Sequence, residues 1–160
     1  GKWQFPEKLI PLTIQKILKG EKIPIYGSGL QIRDWLYVED HVEALLLIAQ
    51  DGKPGEDFCI GGNLEMRNID LVRNISEIIN NSSSKKHNLL ELISFVKDRP
   101  GHDKRYAIDC KKIKSELGWE PRFKFKDALE ITVKWYLDKP EWAQKVLNQA
   151  NYQTQRLGLL

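Results

Sequence analysis

With 160 residues, 41% of them hydrophobic and 29% charged, the chain has globular composition and enough length for one domain with a modest core. Its longest apolar run, Ala44 to Ala49, falls far short of the roughly 20 residues a membrane span needs, and no basic-then-apolar leader opens the sequence. The net charge of +3 comes from basic residues interspersed with acidic ones and forms no basic stripe, so the reading is of a cytoplasmic protein that engages neither nucleic acid nor membrane. Cys59 and Cys110 belong to no metal-ligand or disulfide spacing and read as buried free thiols.

Taken in chain order, Pro11 suits a first helical position, and Ile14, Ile17 and Leu18 share one face of a helix over 11–19 that Gly20 stops. Residues 23–26 read as a short strand, Gly27-Ser28-Gly29 as a turn, and 32–38 as a second strand rich in β-branched and aromatic types. Glu39 and Asp40 make an acidic start for a helix over 41–50 that ends at Asp51-Gly52. That helix is apolar on most sides, which predicts cover from more than one direction.

Beyond the Lys53-Pro54-Gly55 turn, 57–60 read as a strand running into Gly61-Gly62-Asn63. Asn68 is placed as the cap of a helix carrying Leu71, Val72, Ile75, Ile78 and Ile79, and the polar run 80–86 as a surface loop. A strand over 93–96, an extended stretch over 106–108, a helix capped by Asp109 and ending at Gly118, and a helix capped by Asp127 and running to about Asp138 follow. A last helical stretch starts at Glu141. Short strands alternating with several helices make the class α/β, as one domain over 1–160, with strands too short for a self-sufficient doubly wound sheet.

The common catalytic patterns are missing. No G-x-G-x-x-G turn follows a strand, and no tyrosine has a lysine four residues later, so neither a dinucleotide fingerprint nor a Tyr-x-x-x-Lys pair is present. His41, His87 and His102 stand in no metal or triad spacing. What remains suits an anion: Arg99 and His102 in a turn shaped by Pro100 and Gly101, and Arg33 between a glycine-rich turn and an aromatic strand.

Three segments then share one family resemblance: Phe5-Pro6-Glu7-Lys8-Leu9-Ile10-Pro11-Leu12, Gln31-Ile32-Arg33-Asp34-Trp35-Leu36-Tyr37-Val38-Glu39-Asp40-His41, and Asp98-Arg99-Pro100-Gly101-His102-Asp103. With Arg105-Tyr106-Ala107-Ile108-Asp109, Glu116-Leu117-Gly118-Trp119-Glu120-Pro121 and Val133-Lys134-Trp135-Tyr136-Leu137, they resemble the dTDP-glucose 4,6-dehydratases over nearly the whole chain. The resemblance implies the C-terminal substrate-binding domain of an extended short-chain dehydrogenase/reductase, with residues 31–62 like the elements that pack on the family's NAD-binding Rossmann half. That half, with its Tyr/Lys and Asp/Glu pairs, lies upstream of Gly1 in the family, so no catalytic residue, no metal ligand and no NAD contact is expected on this chain.

The family oxidises the sugar at C4 with NAD, eliminates water across C5 and C6, and returns the hydride to C6, serving deoxysugar and surface-polysaccharide synthesis. Carried over by position, the resemblance implies that Glu7, Lys8, Leu9, Ile10, Pro11 and Leu12 line the nucleotide. Ile23, Pro24, Ile25 and Tyr26 would hold the base, with Tyr26 stacking on thymine, and Arg33, Arg99 and His102 would hold the diphosphate, in the Asp98-Arg99-Pro100-Gly101-His102 segment. Asn68 and Tyr152 would be further contacts. The expected partner is dTDP-glucose or a related nucleotide sugar, with self-association of the chain through its apolar helix. A stand-alone nucleotide-sugar-binding or interaction module, and a UDP-sugar dehydratase or epimerase, are the alternatives.

Overall fold

Ile23-Pro24-Ile25-Tyr26 alternates buried and half-buried residues, and this period of two makes it strand β1, Ile23–Tyr26. The proline is tolerated because β1 has a single ladder partner, β4 (Ile93–Val96), with which it runs parallel from Ile23 opposite Ile93 to Tyr26 opposite Val96. A second two-stranded sheet pairs β2 (Ile32–Asp34) antiparallel with β3 (Glu65–Arg67). Around these lie α1 (Leu9–Lys19), α2 (Val38–Asp51), α3 (Asn68–Ser82), α4 (Leu89–Leu92), α5 (Lys111–Leu117), α6 (Phe125–Asp138) and α7 (Pro140–Gln149). The computed structural model describes residues 1–82 and 86–150.

The main core gathers Ile14 and Ile17 of α1, Ile23 and Ile25 of β1, Leu71, Val72, Ile75 and Ile79 of α3, and Leu129, Val133 and Tyr136 of α6. A smaller cluster joins Ala44 of α2 to Cys110, Ile113 and Trp119, with Phe58 and Ile60 packed against it. Gly20 and Gly118 close α1 and α5 in the left-handed region, at φ 67° and 69°, as helix stops of this kind require. The α/β class with short strands and several helices is therefore what the chain forms.

Several boundaries differ from expectation. Helix α1 begins at Leu9, and Pro11 sits third in it; its missing N–H is harmless because the first intrahelical bond runs from Leu12 N to the Lys8 carbonyl. Strand β2 stops at Asp34 instead of 38, because its partner β3 offers only three residues, and α2 begins at Val38. Residues 57–60 form no ladder: Phe58 and Ile60 spend their apolar side chains on the smaller cluster. Residues 106–108 likewise form no strand, the chain making only an isolated bridge between Ile32 and Arg105.

The expected caps shift as well. Asn68 is the first residue of α3, and its Oδ1 is buried without a hydrogen-bond partner, so it does not cap through that oxygen. Asp127 is third in α6, where its charge favours the helix N-terminus, while Lys124 occupies the cap position. Asp109 does hold the start of α5, its Oδ1 accepting from Lys111 N at 2.9 Å. Helix α3 runs on to Ser82, α7 starts at Pro140, and β3 and α4 were not foreseen. Cys110 is buried as expected, but Cys59 is exposed.

Candidate functional site

Two loops leave the parallel pair at the same end. The β1 chain continues from Tyr26 into the Gly27-Ser28-Gly29 turn, and the β4 chain from Val96 into residues 97–103; Gly27 N donates to the Val96 carbonyl at 2.9 Å and ties them together. The Tyr26 ring stands edge-on to His102, with centroids 6.0 Å apart. Asn68, at the start of α3, donates its backbone N–H to the Gln31 carbonyl at 3.0 Å, and Ile69 donates to the Gly29 carbonyl. Tyr26, Arg33, Asn68, Asp98, Arg99 and His102, separated by up to 76 residues in sequence, thus share one region of the surface.

Within it, Asp98 is the organiser. Its Oδ1 accepts from His102 Nδ1 at 2.6 Å and from Arg99 N at 2.9 Å, and its Oδ2 accepts from Gln31 Nε2 at 2.8 Å. The hydrogen bond from His102, followed by those from Arg99 N and Gln31, holds the Asp98 carboxyl below the usual carboxylate range. The His102 side chain is only 6% exposed, whereas Arg99, Pro100 and Gly101 are exposed, and the Arg99 guanidinium makes no ion pair among the described residues. A cation on the surface beside a fixed imidazole is an arrangement suited to phosphate oxygens.

Arg33 is also placed by this loop. Its Nη2 donates to the Asp103 carbonyl at 3.0 Å, and its guanidinium carbon lies 4.3 Å from the centroid of the Tyr106 ring. Tyr106 in turn donates its hydroxyl to Asp103, which pushes the phenol above its ordinary range. Gln31 and Tyr106 carried no expected site role because what each does is set by a distant partner, Asp98 for Gln31 and Arg33 for Tyr106. The local signal was their place inside the Gln31-to-His41 and Arg105-to-Asp109 segments.

The remaining expected residues among those described lie at the start of α1 and along β1. At the start of α1, Glu7 pairs with Lys8 at 2.7 Å, Leu9 and Leu12 are half-buried, and Ile10 and Pro11 are buried. Ile23 and Ile25 belong to the core and Pro24 to the half-buried face, so Ile23 and Ile25 offer a ligand their backbone only. Tyr152 lies outside the described residues. No cluster of three or more metal-ligating side chains occurs among the described residues. A separate cavity of about 190 Å³ lies between Trp35, Leu36, Tyr37, Asn63, Phe123 and Leu129; of the expected residues it touches Ile10 alone.

A dinucleotide site does not fit the glycine turns present. Gly27 and Gly29 lead into strand β2 instead of the N-terminus of a helix, where a pyrophosphate would find aligned N–H groups. Gly61 and Gly62 are filled by their own neighbourhood: a Cβ on Gly62 would stand 2.0 Å from the Trp35 carbonyl oxygen.

Among proteins of known function, the chain is 48% identical to dTDP-glucose 4,6-dehydratase of Escherichia coli, aligning over all of this chain and 45% of that one. It is also 48% identical to a probable dTDP-glucose 4,6-dehydratase of Sinorhizobium fredii, again over 100% and 45%. Solved structures agree. The dTDP-glucose 4,6-dehydratase of Bacillus anthracis in complex with NAD matches with a TM-score of 0.82 at 42% identity, covering 91% of this chain and 44% of that one. That of Streptomyces venezuelae with NAD and TYD bound matches with a TM-score of 0.84 at 36% identity, covering 91% and 43%. The chain thus spans about 45% of the length of the curated relatives it matches. It is homologous to dTDP-glucose 4,6-dehydratases, and the family model for GDP-mannose 4,6 dehydratase matches residues 1–132. On that match, the chain belongs to the GDP-mannose 4,6 dehydratase family.

Proposed function

We propose that this chain is the nucleotide-sugar-binding C-terminal portion of an NAD-dependent dTDP-glucose 4,6-dehydratase, the hydro-lyase that forms a 4-keto-6-deoxy sugar nucleotide. The observation that carries this reading is the convergence of Tyr26, Arg33, Arg99 and His102 at one end of the β1–β4 pair. An aromatic plate suits an unpaired base, and two guanidinium groups with an imidazole suit a diphosphate. In this reading Arg99, exposed and without an ion-pair partner among the described residues, takes the phosphate charge, while Arg33 is aimed by Asp103 and Tyr106. Asn68 adds a buried, unpaired Oδ1 beside them, suited to a donor on the ligand.

The same reading assigns hydride transfer and water elimination to residues outside this chain, since it contains no dinucleotide turn and no Tyr-x-x-x-Lys pair. Calorimetry of the chain with dTDP, dTDP-glucose and NAD tests it. Weak saturable binding of the thymidine nucleotides, no uptake of NAD and no 4-keto product are expected; saturable NAD binding, or no nucleotide binding at millimolar dTDP, overturns it.

A further inference from the structure

Gln31 opens the segment that runs to His41 but carries no expected role there, yet it is 8% exposed and reaches across 67 residues of sequence to Asp98. Its Nε2 faces two acceptors, Asp98 Oδ2 at 2.8 Å and the Tyr26 carbonyl at 3.3 Å. Neither can donate to a carboxamide oxygen, so the amide has one allowed orientation, with its NH₂ end toward them. The cost appears at the other end: Oε1 is buried with no hydrogen-bond partner. The surrounding turn is shaped for the same pair. Gly27 has φ +56°, and a Cβ there would lie 2.9 Å from Asp98 Oδ2 and 3.3 Å from Gln31 Nε2.

The consequence falls on His102. Asp98 Oδ1 accepts from His102 Nδ1 at 2.6 Å, and a carboxylate in this position only accepts, so Nδ1 must carry the hydrogen. Besides Asp98, Tyr26 stands edge-on to the ring with centroids 6.0 Å apart, and Arg99 and Asp103 belong to the same turn. We propose that Gln31 is a positioning residue that acts through Asp98 to lock His102 with its hydrogen on Nδ1, which leaves Nε2 as the ring nitrogen for the ligand. The ligand's identity here rests on the nucleotide-sugar reading above; the tautomer does not.

The test uses the 160-residue chain at alkaline pH, where an imidazole is neutral, with ¹H–¹⁵N spectra of the ring nitrogens and His102 assigned through His102→Gln. The wild-type chain is expected to show His102 in the Nδ1–H form. Gln31→Met, which keeps an unbranched side chain of similar length but cannot donate, is expected to move His102 toward the Nε2–H form in the same direction as Asp98→Asn. Gln31→Glu, which places a second carboxylate against Asp98, serves as the alternative if the methionine variant does not fold, and is expected to shift the ratio the same way. An unchanged tautomer in a folded Gln31 variant overturns the proposal, as does a wild-type ring in the Nε2–H form. Calorimetry with dTDP on the same proteins separates the two readings: failure of the wild-type chain to bind overturns the nucleotide reading alone, and leaves the tautomer result to decide the role of Gln31.

Discussion

Arg33 is held over the face of Tyr106, its guanidinium carbon 4.3 Å from the ring centroid, while its Nη1 and Nη2 donate to the carbonyls of Ile32 and Asp103 at 2.7 and 3.0 Å. The two carbonyl bonds fix the plane of the guanidinium and the ring fixes its tilt. Tyr106→Ala removes the ring and leaves the carbonyls, so it is expected to weaken dTDP binding about 2- to 5-fold, the equivalent of a cation–π contact at an exposed site worth about 0.5–1 kcal/mol. Tyr106→Phe keeps the ring and is expected to bind nearly as the wild type. Titration calorimetry on the two variants checks this, and equal losses would show that the hydroxyl, not the ring, places Arg33.

Arg99 and Tyr26 face the same region but carry different kinds of interaction. A charge-assisted hydrogen bond contributes roughly 1.5–3 kcal/mol, whereas an aromatic stack adds about 0.5–1.5 kcal/mol beyond its buried area. Arg99→Ala is therefore expected to cost more dTDP affinity than Tyr26→Ala, and its loss is expected to shrink as salt is raised, since screening acts on the charge and not on the stack. Equal losses in both variants, or a salt-independent Arg99 effect, would count against phosphate recognition by this arginine.

Much of this is legible in the amino-acid sequence. The strands at Ile23–Tyr26 and Ile93–Val96 and the stops at Gly20 and Gly118 rest on local signals, an alternating period and a left-handed residue, and they stand where expected. Errors arose where a partner decides the outcome. Residues 57–60 have strand composition but no ladder, and Glu65–Arg67 has a ladder because Ile32–Asp34 lies opposite it. In the same way Arg99 and His102 were legible from their turn. The contact of Gln31 with Asp98 was not, because nothing within a few residues of Gln31 signals a carboxylate 67 positions away.

Asp40, 1% exposed, pairs with no arginine or lysine among the described residues; it accepts from the backbone of Arg122 at 3.0 Å and of Phe123 at 3.4 Å. Its carboxylate ties the start of α2 to the segment before α6 across more than 80 residues of sequence. Asp40→Ala leaves both N–H groups without their acceptor and is expected to destabilise the chain by roughly 2–3 kcal/mol in urea unfolding. A loss below about 0.5 kcal/mol, the range of an ordinary surface change, would mean that water replaces the carboxylate at little cost.

Burial pushes the Tyr136 phenol from 10.0 up to about 12, and burial with the nearby Glu39 carboxylate does the same for Tyr37. For both groups the folded pKa lies above the unfolded one, so the folded state retains the proton longer. Their stabilising contribution is complete below about pH 10 and is lost as pH rises from about 10 to about 12. Tyr136 also donates to the Gln4 carbonyl at 3.0 Å. Tyr136→Phe is thus expected to be less stable at neutral pH by about 1 kcal/mol for the missing hydrogen bond, yet to lose stability less steeply above pH 10. Urea unfolding across the alkaline range, with tyrosinate absorbance followed in parallel, reads both effects. A slope identical to the wild type would show that Tyr136 ionises normally.

Helix α2, whose apolar residues go nearly all the way round, is covered from one side and leaves the expected apolar patch exposed on the other. Ala44 is buried in the smaller cluster, with Leu47 and Ile48 packed beside it, while Val38, Val42, Leu45 and Leu46 are 40%, 48%, 50% and 58% exposed. These four residues recur at helical spacing and form an apolar stripe on the outer side, which a solitary soluble helix normally keeps polar. Helix α7 does not cover it, because its Trp142 packs on Trp135 of α6 and on Trp3. In relatives more than twice as long, further polypeptide is available for this face, whereas here nothing among the described residues covers it and another copy of the chain is the nearest partner. The isolated chain is therefore expected to self-associate as concentration rises. Leu45→Lys with Leu46→Glu, which charges the stripe without touching Ala44 or Asp40, is expected to return it to a monomer with unchanged circular dichroism. Sedimentation velocity over a concentration series decides the matter: a wild-type chain that stays monomeric throughout and binds no apolar dye would show that the stripe is already covered within one molecule.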